Sequence, residues 1–446
     1  MISTLRSLLT PRHPLRLAWH HFRSFLAALR FGFPARKLTI IGITGTDGKT
    51  TSVGMTAHIL QKAGIRVGAL STAFFQIDDV VTWNATQKTS PSPFVIQRFL
   101  RDLVSKNCTH AVLEYSSHGL VQGRVAWTWP KVAAITNTSA EHLDYHGTMR
   151  QYREDKGILF DMLLGEGTKV LHREDETLHL YRPIPSSETI VYATHPPEYF
   201  TQEPIGSGTG ETHLWSTDVS ARTDGTTCVI QVTPVEGSGS SHQVPLSLRV
   251  PGLFNIENAL CAMSCTLGVG VSVQTACAAL ESFGGVPGRM EKLHSPAPFS
   301  VYIDFTVTPV AYEKTLSALR AILPEGKRLL VLTGSCGDRM KEKRPLVGKI
   351  VSQFAHEMVV TNEDPYTENP ETIIDEVWAG VDQSATVAHR LSDRREAIAL
   401  LFSKAQPGDI VALCGKGSDT TMWVAQGQVP WNEKEIALEL LKPYEA

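Results

Sequence analysis

The chain has 446 residues, 42% hydrophobic and 20% charged, with 42 Lys and Arg against 45 Asp and Glu for a net charge of −3. That length exceeds one ordinary core and predicts two or three domains, the composition excludes a fibrous or unfolded chain, and the balanced charge argues against a protein that coats nucleic acid. Seven cysteines with no C-x-x-C pair suggest neither a disulfide framework nor a zinc ribbon and suit the reducing cytosol, so a cytoplasmic location is expected.

No apolar run reaches the ~18 residues that a membrane-spanning helix needs. Residues 1–37 carry Arg6, Arg12, Arg16, Arg23, Arg30, Arg36 and Lys37, and the first acid is Asp47. From Pro14 to Phe33, Leu15, Trp19, Phe22, Leu26, Leu29 and Phe33 follow helical spacing, which predicts a basic amphipathic helix. Its apolar stripe either packs on the next domain with the arginines in solvent, or attaches to an anionic membrane face.

Leu38–Ile43 then reads as a buried strand, followed by a Gly/Thr turn and a helix over Lys49–Ala63. Strand candidates at His110–Glu114 and Val132–Thr136, with helices between, predict a mostly parallel sheet in a central domain spanning 38–286. The Gly/Ser/Thr-rich stretch 205–245 reads as antiparallel strands and loops appended to that sheet. Gly284-Gly285-Val286-Pro287-Gly288 is the expected hinge. Beyond it Val301–Asp304, Leu329–Thr333, Met358–Thr361 and Ile410–Cys414 alternate with helices over Pro309–Ile322 and Arg394–Lys404, predicting a Rossmann-like α/β domain at 287–446. The fold class is therefore α/β, a P-loop domain followed by a second α/β domain.

The strongest chemical signal is Gly42-Ile43-Thr44-Gly45-Thr46-Asp47-Gly48-Lys49-Thr50-Thr51. Glycines at a helix N-terminus let backbone N–H groups wrap phosphate oxygens, Lys49 reaches the β/γ-phosphates, and Thr50 holds Mg²⁺. Ile43 stands where the strict motif has its first glycine, but the strand before and the helix after support binding of ATP or GTP. Glu114 ends a strand where such sheets place ligand groups, and a carboxylate there suits Mg²⁺. Asn137 to Gly147 crowds His142, His146, Glu141 and Asp144 into one loop. Zinc is disfavoured because no H-E-x-x-H order accompanies the histidines, and His146 reads as structural.

Thr44 to Thr51, Glu114 to Leu120, His142 to Gly147 and Val286 to Glu291 together resemble the Mur ligases. The likeness runs collinearly from about Leu38 to Met422 through Asn255, Gly337-Asp338-Arg339, Lys343-Arg344-Pro345 and Gly415-Lys416-Gly417. The resemblance implies an ATP-dependent ligase that activates a muramoyl-peptide carboxylate as an acyl phosphate, which an incoming amino acid attacks, in peptidoglycan precursor synthesis. It implies that Gly45, Thr46, Asp47, Gly48, Lys49, Thr50 and Thr51 hold ATP, and that Thr50, Glu114, His142 and Lys156 serve two Mg²⁺ ions. Lys156 would be carbamylated, although without the resemblance it reads as a surface lysine. Asn137 and Asn255 would lie near adenine, and Arg289 and Asp304 would reach ATP as the C-terminal domain closes. Thr89, Ser90, Ser116, Gln122 and Arg124 would contact the acceptor, and Arg339, Asp364, Tyr366, Gly415 and Asp419 would contact the incoming amino acid. A monomer is the default expectation.

The departures bear on substrate. Tyr366 stands where ligases adding diaminopimelate carry an arginine, so a second carboxylate is disfavoured, and Asp364 with Asp419 would suit a cation such as lysine's. Val307 and Ser418 also depart from the family pattern. Relatives carry an N-terminal domain for the uridine nucleotide, whereas 37 residues precede the first strand here, so a smaller contact or a partner is expected in its place. A ligase using an acceptor without UDP, and a noncatalytic ATP-binding scaffold, are the alternatives.

Overall fold

The computed structural model describes residues 10–86, 88–196, 210–222, 225–233 and 242–444. Arg6, at the start of the basic segment, and much of the Gly/Ser/Thr-rich stretch lie outside them. Helix α1 spans Pro14–Phe31, with proline in its first turn, His13 accepting the Leu15 N–H, and left-handed Gly32 closing its C-terminus. Then come β1 (Thr39–Thr44), α2 (Lys49–Lys62), β2 (Val67–Leu70), β3 (Phe74–Ile77), β4 (Val80–Trp83), α3 (Pro93–Ser105) and β5 (His110–Glu114). These are followed by α4 (Ser117–Val121), β6 (Val132–Ile135), α5 (Leu143–His146), α6 (Met149–Asp161), β7 (Thr168–His172), α7 (Leu178–Tyr181) and β8 (Glu188–Ala193). Strands β9 (Glu211–Arg222), β10 (Gly225–Thr233) and β11 (His242–Leu248) precede α8 (Phe254–Leu267) and α9 (Val273–Leu280).

The strands form one sheet in the order β11-β10-β9-β8-β7-β6-β1-β5-β2-β3-β4. β1 lies at its centre, parallel to β5 and β6, with Ile43 opposite Glu114 and Thr44 opposite Ile135. Strands that are buried on both faces read as continuous apolar runs, as Ile40 to Ile43 and Ala111 to Leu113 do here. The register brings the turn after β1, Glu114 and the residues after β6 to one edge, where parallel sheets bind ligands.

The helix foreseen at the front forms and docks on α3, but through a different face from the expected apolar stripe. Ser24, Ala27 and Ala28 are its buried positions, while Leu15, Trp19, Phe22, Leu26 and Leu29 are exposed. Small side chains allow the helix axis to approach its support closely, which the large residues would prevent.

Chain contacts divide the molecule into one unit of residues 1–220, 227–248 and 254–283, and a second of 221–226, 249–253 and 284–446. The second contains β12 (Glu291–Lys292), β13 (Ser300–Asp304), β14 (Leu329–Thr333), β15 (Glu357–Val360), β16 (Val387–Arg390) and β17 (Ile410–Cys414). Their order is β12-β13-β17-β14-β15-β16, parallel except for β12. The hairpin β18 (Thr421–Val424) and β19 (Gly427–Pro430) follows.

Arg394 ties this unit together from a fully buried position. It donates to Glu433 at 2.5 and 3.0 Å, to the Cys414 carbonyl at 2.8 Å and to the Asn362 carbonyl at 3.2 Å. Glu433→Ala strands a buried guanidinium and is expected to lower the stability of the second unit by about 3–5 kcal/mol, measured by denaturant unfolding. A loss below about 1 kcal/mol would show that the pair contributes little.

Candidate active site

The turn between β1 and α2 is shaped by two glycines. Gly45 has φ of 144° and Gly48 a φ of 81°, and a Cβ would come within 1.8 Å of Thr136 Oγ1 at the first and 2.3 Å of Asn258 Oδ1 at the second. Both positions therefore require glycine. Gly48 is also the N-cap of α2 and supplies no side-chain acceptor, so the first-turn N–H groups and the positive end of the helix dipole suit an anion. Neighbouring strand tips hold the turn: Asn137 accepts the Asp47 N–H at 3.0 Å, its own carbonyl accepts the Thr46 N–H at 2.8 Å, and Thr136 Oγ1 donates to the Asp47 carbonyl at 2.6 Å. Asn137 also donates to Glu257 at 3.0 Å, and Asn255 accepts from Asn258 at 3.1 Å. The two asparagines thus belong to the same edge as the loop.

Lys49 folds its Nζ back to the Thr46 carbonyl at 2.5 Å. Below the loop, Lys156 is 1% exposed, with its Nζ 2.6 Å from the Gly45 carbonyl and 4.4 Å from the centroid of the Tyr152 ring. The surface position read from sequence alone is thereby corrected: α6 points this residue inward, beneath the loop. Burial and the neighbouring Lys49 charge push its amine well below the ordinary lysine value. Glu114 is buried, not a solvent-facing strand end, and accepts hydrogen bonds from Thr50 Oγ1 at 2.9 Å, from the Thr72 N–H at 2.7 Å and from Thr72 Oγ1 at 2.9 Å. Thr50 and Glu114 offer the hard oxygen atoms that Mg²⁺ prefers. Burial, with Lys156 and Lys49 nearby, pushes the His142 imidazole down to about 3, leaving a neutral ring with a nitrogen lone pair.

His146 sits beside this set. Its Nδ1 meets Asp155 at 2.5 Å and its Nε2 meets Ser117 Oγ at 3.0 Å, while Arg12 donates to the same carboxylate at 2.5 and 3.0 Å. Burial would raise the Asp155 carboxyl, but the hydrogen bonds from His146 and Arg12 outweigh it and hold the group below its usual range.

Residues from three further segments converge nearby. Ser90 Oγ accepts the Ser116 N–H at 3.0 Å, Thr89 Oγ1 lies 2.9 Å from Thr72 Oγ1, and Arg124 donates to the Ser90 carbonyl at 2.9 Å and to Gln122 at 2.6 and 2.9 Å. Thr89, Ser90, Ser116, Gln122 and Arg124 therefore form one polar cluster.

Arg289, Asp304, Arg339, Asp364, Tyr366, Gly415 and Asp419 lie in the second unit. Asp304 accepts the Met290 N–H at 2.7 Å, and the Arg289 guanidinium lies 4.4 Å from the Phe305 ring centroid. Asp364 and Asp419 are not free acids. Fully buried Lys416 donates to Asp364 at 2.9 Å and to Asp419 at 3.1 Å, so a cation from within the chain already takes the place imagined for a substrate amine. Tyr366 stacks on Trp423 with ring centroids 5.5 Å apart, and Arg339 covers its ring at 5.1 Å.

Residues 43–266 match the Mur ligase middle domain, and residues 288–417 match the Mur ligase glutamate ligase domain. The chain belongs to the Mur ligase family. It is 35% identical to a UDP-N-acetylmuramyl-tripeptide synthetase of Roseiflexus sp. (strain RS-1), an alignment covering 93% of this chain and 81% of that one. It is 33% identical to a UDP-N-acetylmuramoyl-L-alanyl-D-glutamate–2,6-diaminopimelate ligase of Chlorobaculum tepidum, covering 87% and 73%. A solved ligase of that second kind matches with a TM-score of 0.59 and 26% identity over 91% of this chain and 78% of its own. A MurF ligase of Thermotoga maritima in complex with ADP shares the fold, with a TM-score of 0.64 and 19% identity over 94% and 83%.

In this Mur ligase, sequence reasoning missed Thr72, Asp155 and Arg12 beside the residues of the first unit, and Lys416 between Asp364 and Asp419 in the second. Thr72 carries no motif, and Arg12 lies 143 positions from Asp155. Only the acid next to Lys156 could have prompted a search for a basic partner. A carboxyl held below its unfolded value stabilises the fold above that value, about pH 4, and the contribution is lost as pH falls towards the folded one. Asp155→Asn is therefore expected to be less stable than the parent at neutral pH, with the gap narrowing at about pH 3. Denaturant titrations at both values check this, and a gap that stays constant with pH would contradict it.

Proposed function

We propose that this Mur ligase joins an amino acid to the carboxylate of a UDP-N-acetylmuramoyl-peptide at the expense of ATP. The reading is supported by the buried Lys156 beneath a glycine-shaped loop and by Thr50 donating to Glu114 at the same sheet edge, groups whose chemistry suits phosphate and a hard cation. Bound ATP supplies the phosphoryl group that turns the acceptor carboxylate into an acyl phosphate, whose carbonyl carbon the incoming amine attacks as phosphate leaves.

Gly45 to Thr51 cradle the phosphates through backbone N–H groups, and Lys49 swings from the Thr46 carbonyl to neutralise them. Thr50 and Glu114 would hold one Mg²⁺, and His142 with Lys156 would hold a second, the ions offsetting charge at the transferring phosphoryl group. For the latter role Lys156 would be carbamylated: its amine, once deprotonated, would add to CO₂, forming an N–C bond and releasing one proton, and the resulting carboxylate would provide oxygen ligands. A buried amine with a single carbonyl acceptor and an aromatic ring beside it favours this form. Asn137 and Asn255 border the nucleotide. Arg124, braced by Gln122 and Ser90, pairs with an acceptor anion, with Thr89 and Ser116 alongside. Arg339, Tyr366 and Gly415 receive the incoming amino acid, and Asp364 and Asp419 keep Lys416 in place at that pocket. Tyr366 supplies no guanidinium for a distal carboxylate, so diaminopimelate is a poor substrate.

Phosphate release with ATP, Mg²⁺ and an amino-acid panel, with UDP-muramoyl-dipeptide present or omitted, tests the reading. Turnover is expected to require the dipeptide and one amino acid, and Lys156→Ala to lower it by at least about 10³-fold by removing a metal ligand and its charge stabilisation. Turnover that ignores the dipeptide would refute the acceptor, and an unimpaired Lys156→Ala would refute the metal role. Tyr366→Arg is expected to raise the use of diaminopimelate at least about tenfold, and no change would remove Tyr366 from specificity.

A further inference from the structure

Helix α1 is built inside out for a soluble protein. Its docked positions are Ser24, Ala27 and Ala28, and His21 lies so close to Gly123 that a Cβ there would come within 2.5 Å of the imidazole. The C-terminal end is fixed as well: Arg101 donates to the Phe31 carbonyl at 3.3 Å, and Phe25 and Phe33 pack on Trp127 with centroids 5.5 and 6.0 Å away. The helix is thus held on the first unit by one face. The opposite face carries Leu15, Trp19, Phe22, Leu26 and Leu29, which step by four, three, four and three and are between 38% and 69% exposed. Such steps place all five on one stripe of a 3.6-residue helix.

Charge accompanies the stripe. Arg16, Arg23 and Arg30 recur every seven residues, so they line one flank of it. Between residues 10 and 37 there are six Lys or Arg and no acid, and α3 alongside adds exposed Arg98 and Arg101 against Asp102. No helix among the described residues is long and apolar enough to cross a membrane.

We propose that α1 lies in the surface of an anionic bilayer, with Trp19 and Phe22 at the level of the headgroup boundary and the arginines on lipid phosphates. An apolar stripe flanked by cationic side chains is the arrangement that both terms of interfacial binding require. A second copy of this chain suits the face poorly. A two-fold contact through the stripe would bring the two arginine rows together, and the helix offers no carboxylate to meet them. The inference does not rest on the ligase reading, since the helix face and its charges are independent of the reaction.

Flotation of the full-length protein with vesicles of phosphatidylcholine, alone or with phosphatidylglycerol, tests it. Binding is expected to the anionic vesicles, to weaken at high salt, and to fall at least about tenfold in Trp19→Asp/Phe22→Asp, because the apolar contact is lost and two negative charges meet the anionic surface. Since those positions are solvent-exposed, melting and ATP binding should be unchanged. Arg23→Glu/Arg30→Glu keeps the apolar stripe and should lose the preference for anionic vesicles. Three results would overturn the proposal: no flotation with either vesicle, equal flotation of parent and Trp19→Asp/Phe22→Asp, or a parent dimer that this variant converts to monomer, which would assign the face to a second copy.

Discussion

The position of one short loop governs the site. Residues 44–51 turn from the central strand into a helix, and their backbone is clasped by Thr136 and Asn137 at the tip of β6 and by Lys156 from α6. Each clasp uses a backbone group of the loop that would otherwise need water, so the loop arrives at its ligand already shaped. Preorganised donors of this kind stabilise developing charge without reorganising as the reaction proceeds. The cost is a lysine with almost no solvent, whose amine burial and Lys49 push well below the ordinary lysine value.

That same arrangement explains why the site is built from distant parts of the sequence. Parallel pairing of β1 with β5 and β6 sets Glu114 and the Asn137 segment on either side of the loop, and α6 returns Lys156 underneath. Ser116, Gln122 and Arg124 follow Glu114 within ten residues, and Ser90 joins them through hydrogen bonds to Ser116 and Arg124, so this polar cluster shares the β5 edge with Glu114. Arg12 reaches into this edge through Asp155 and His146, and α1 follows directly from that anchored residue. A surface contact of α1 and the reacting end of the sheet are thereby parts of one continuous piece of the first unit.

Much of this was legible from residues because the signals were local. β5 spans His110–Glu114, β14 spans Leu329–Thr333 and β17 spans Ile410–Cys414, as the apolar runs predict, and the Gly-Lys-Thr turn declares itself by composition. Three features were not legible. Lys156 sits on a helix with charged neighbours, so only the family pattern hinted at its burial. The stripe of α1 obeyed the helical period but faced away from the protein, because periodicity reports that a face exists and not which surface covers it. Asp364 and Asp419 read as a receptor for a cation, whereas Lys416 lies between them: spacing in the chain gave no sign that the loop after β17 folds its own lysine inward.

In the proposed reaction the loop, the buried lysine and Glu114 serve transfer of a phosphoryl group to a carboxylate before the amide forms. Turnover with an acceptor whose carboxylate carries oxygen-18, with the released phosphate analysed by mass spectrometry, follows that transfer. An acyl phosphate predicts that each phosphate released carries one oxygen from the acceptor. Amide formed with label-free phosphate, the displaced oxygen-18 being recovered in water instead, would rule the acyl phosphate out.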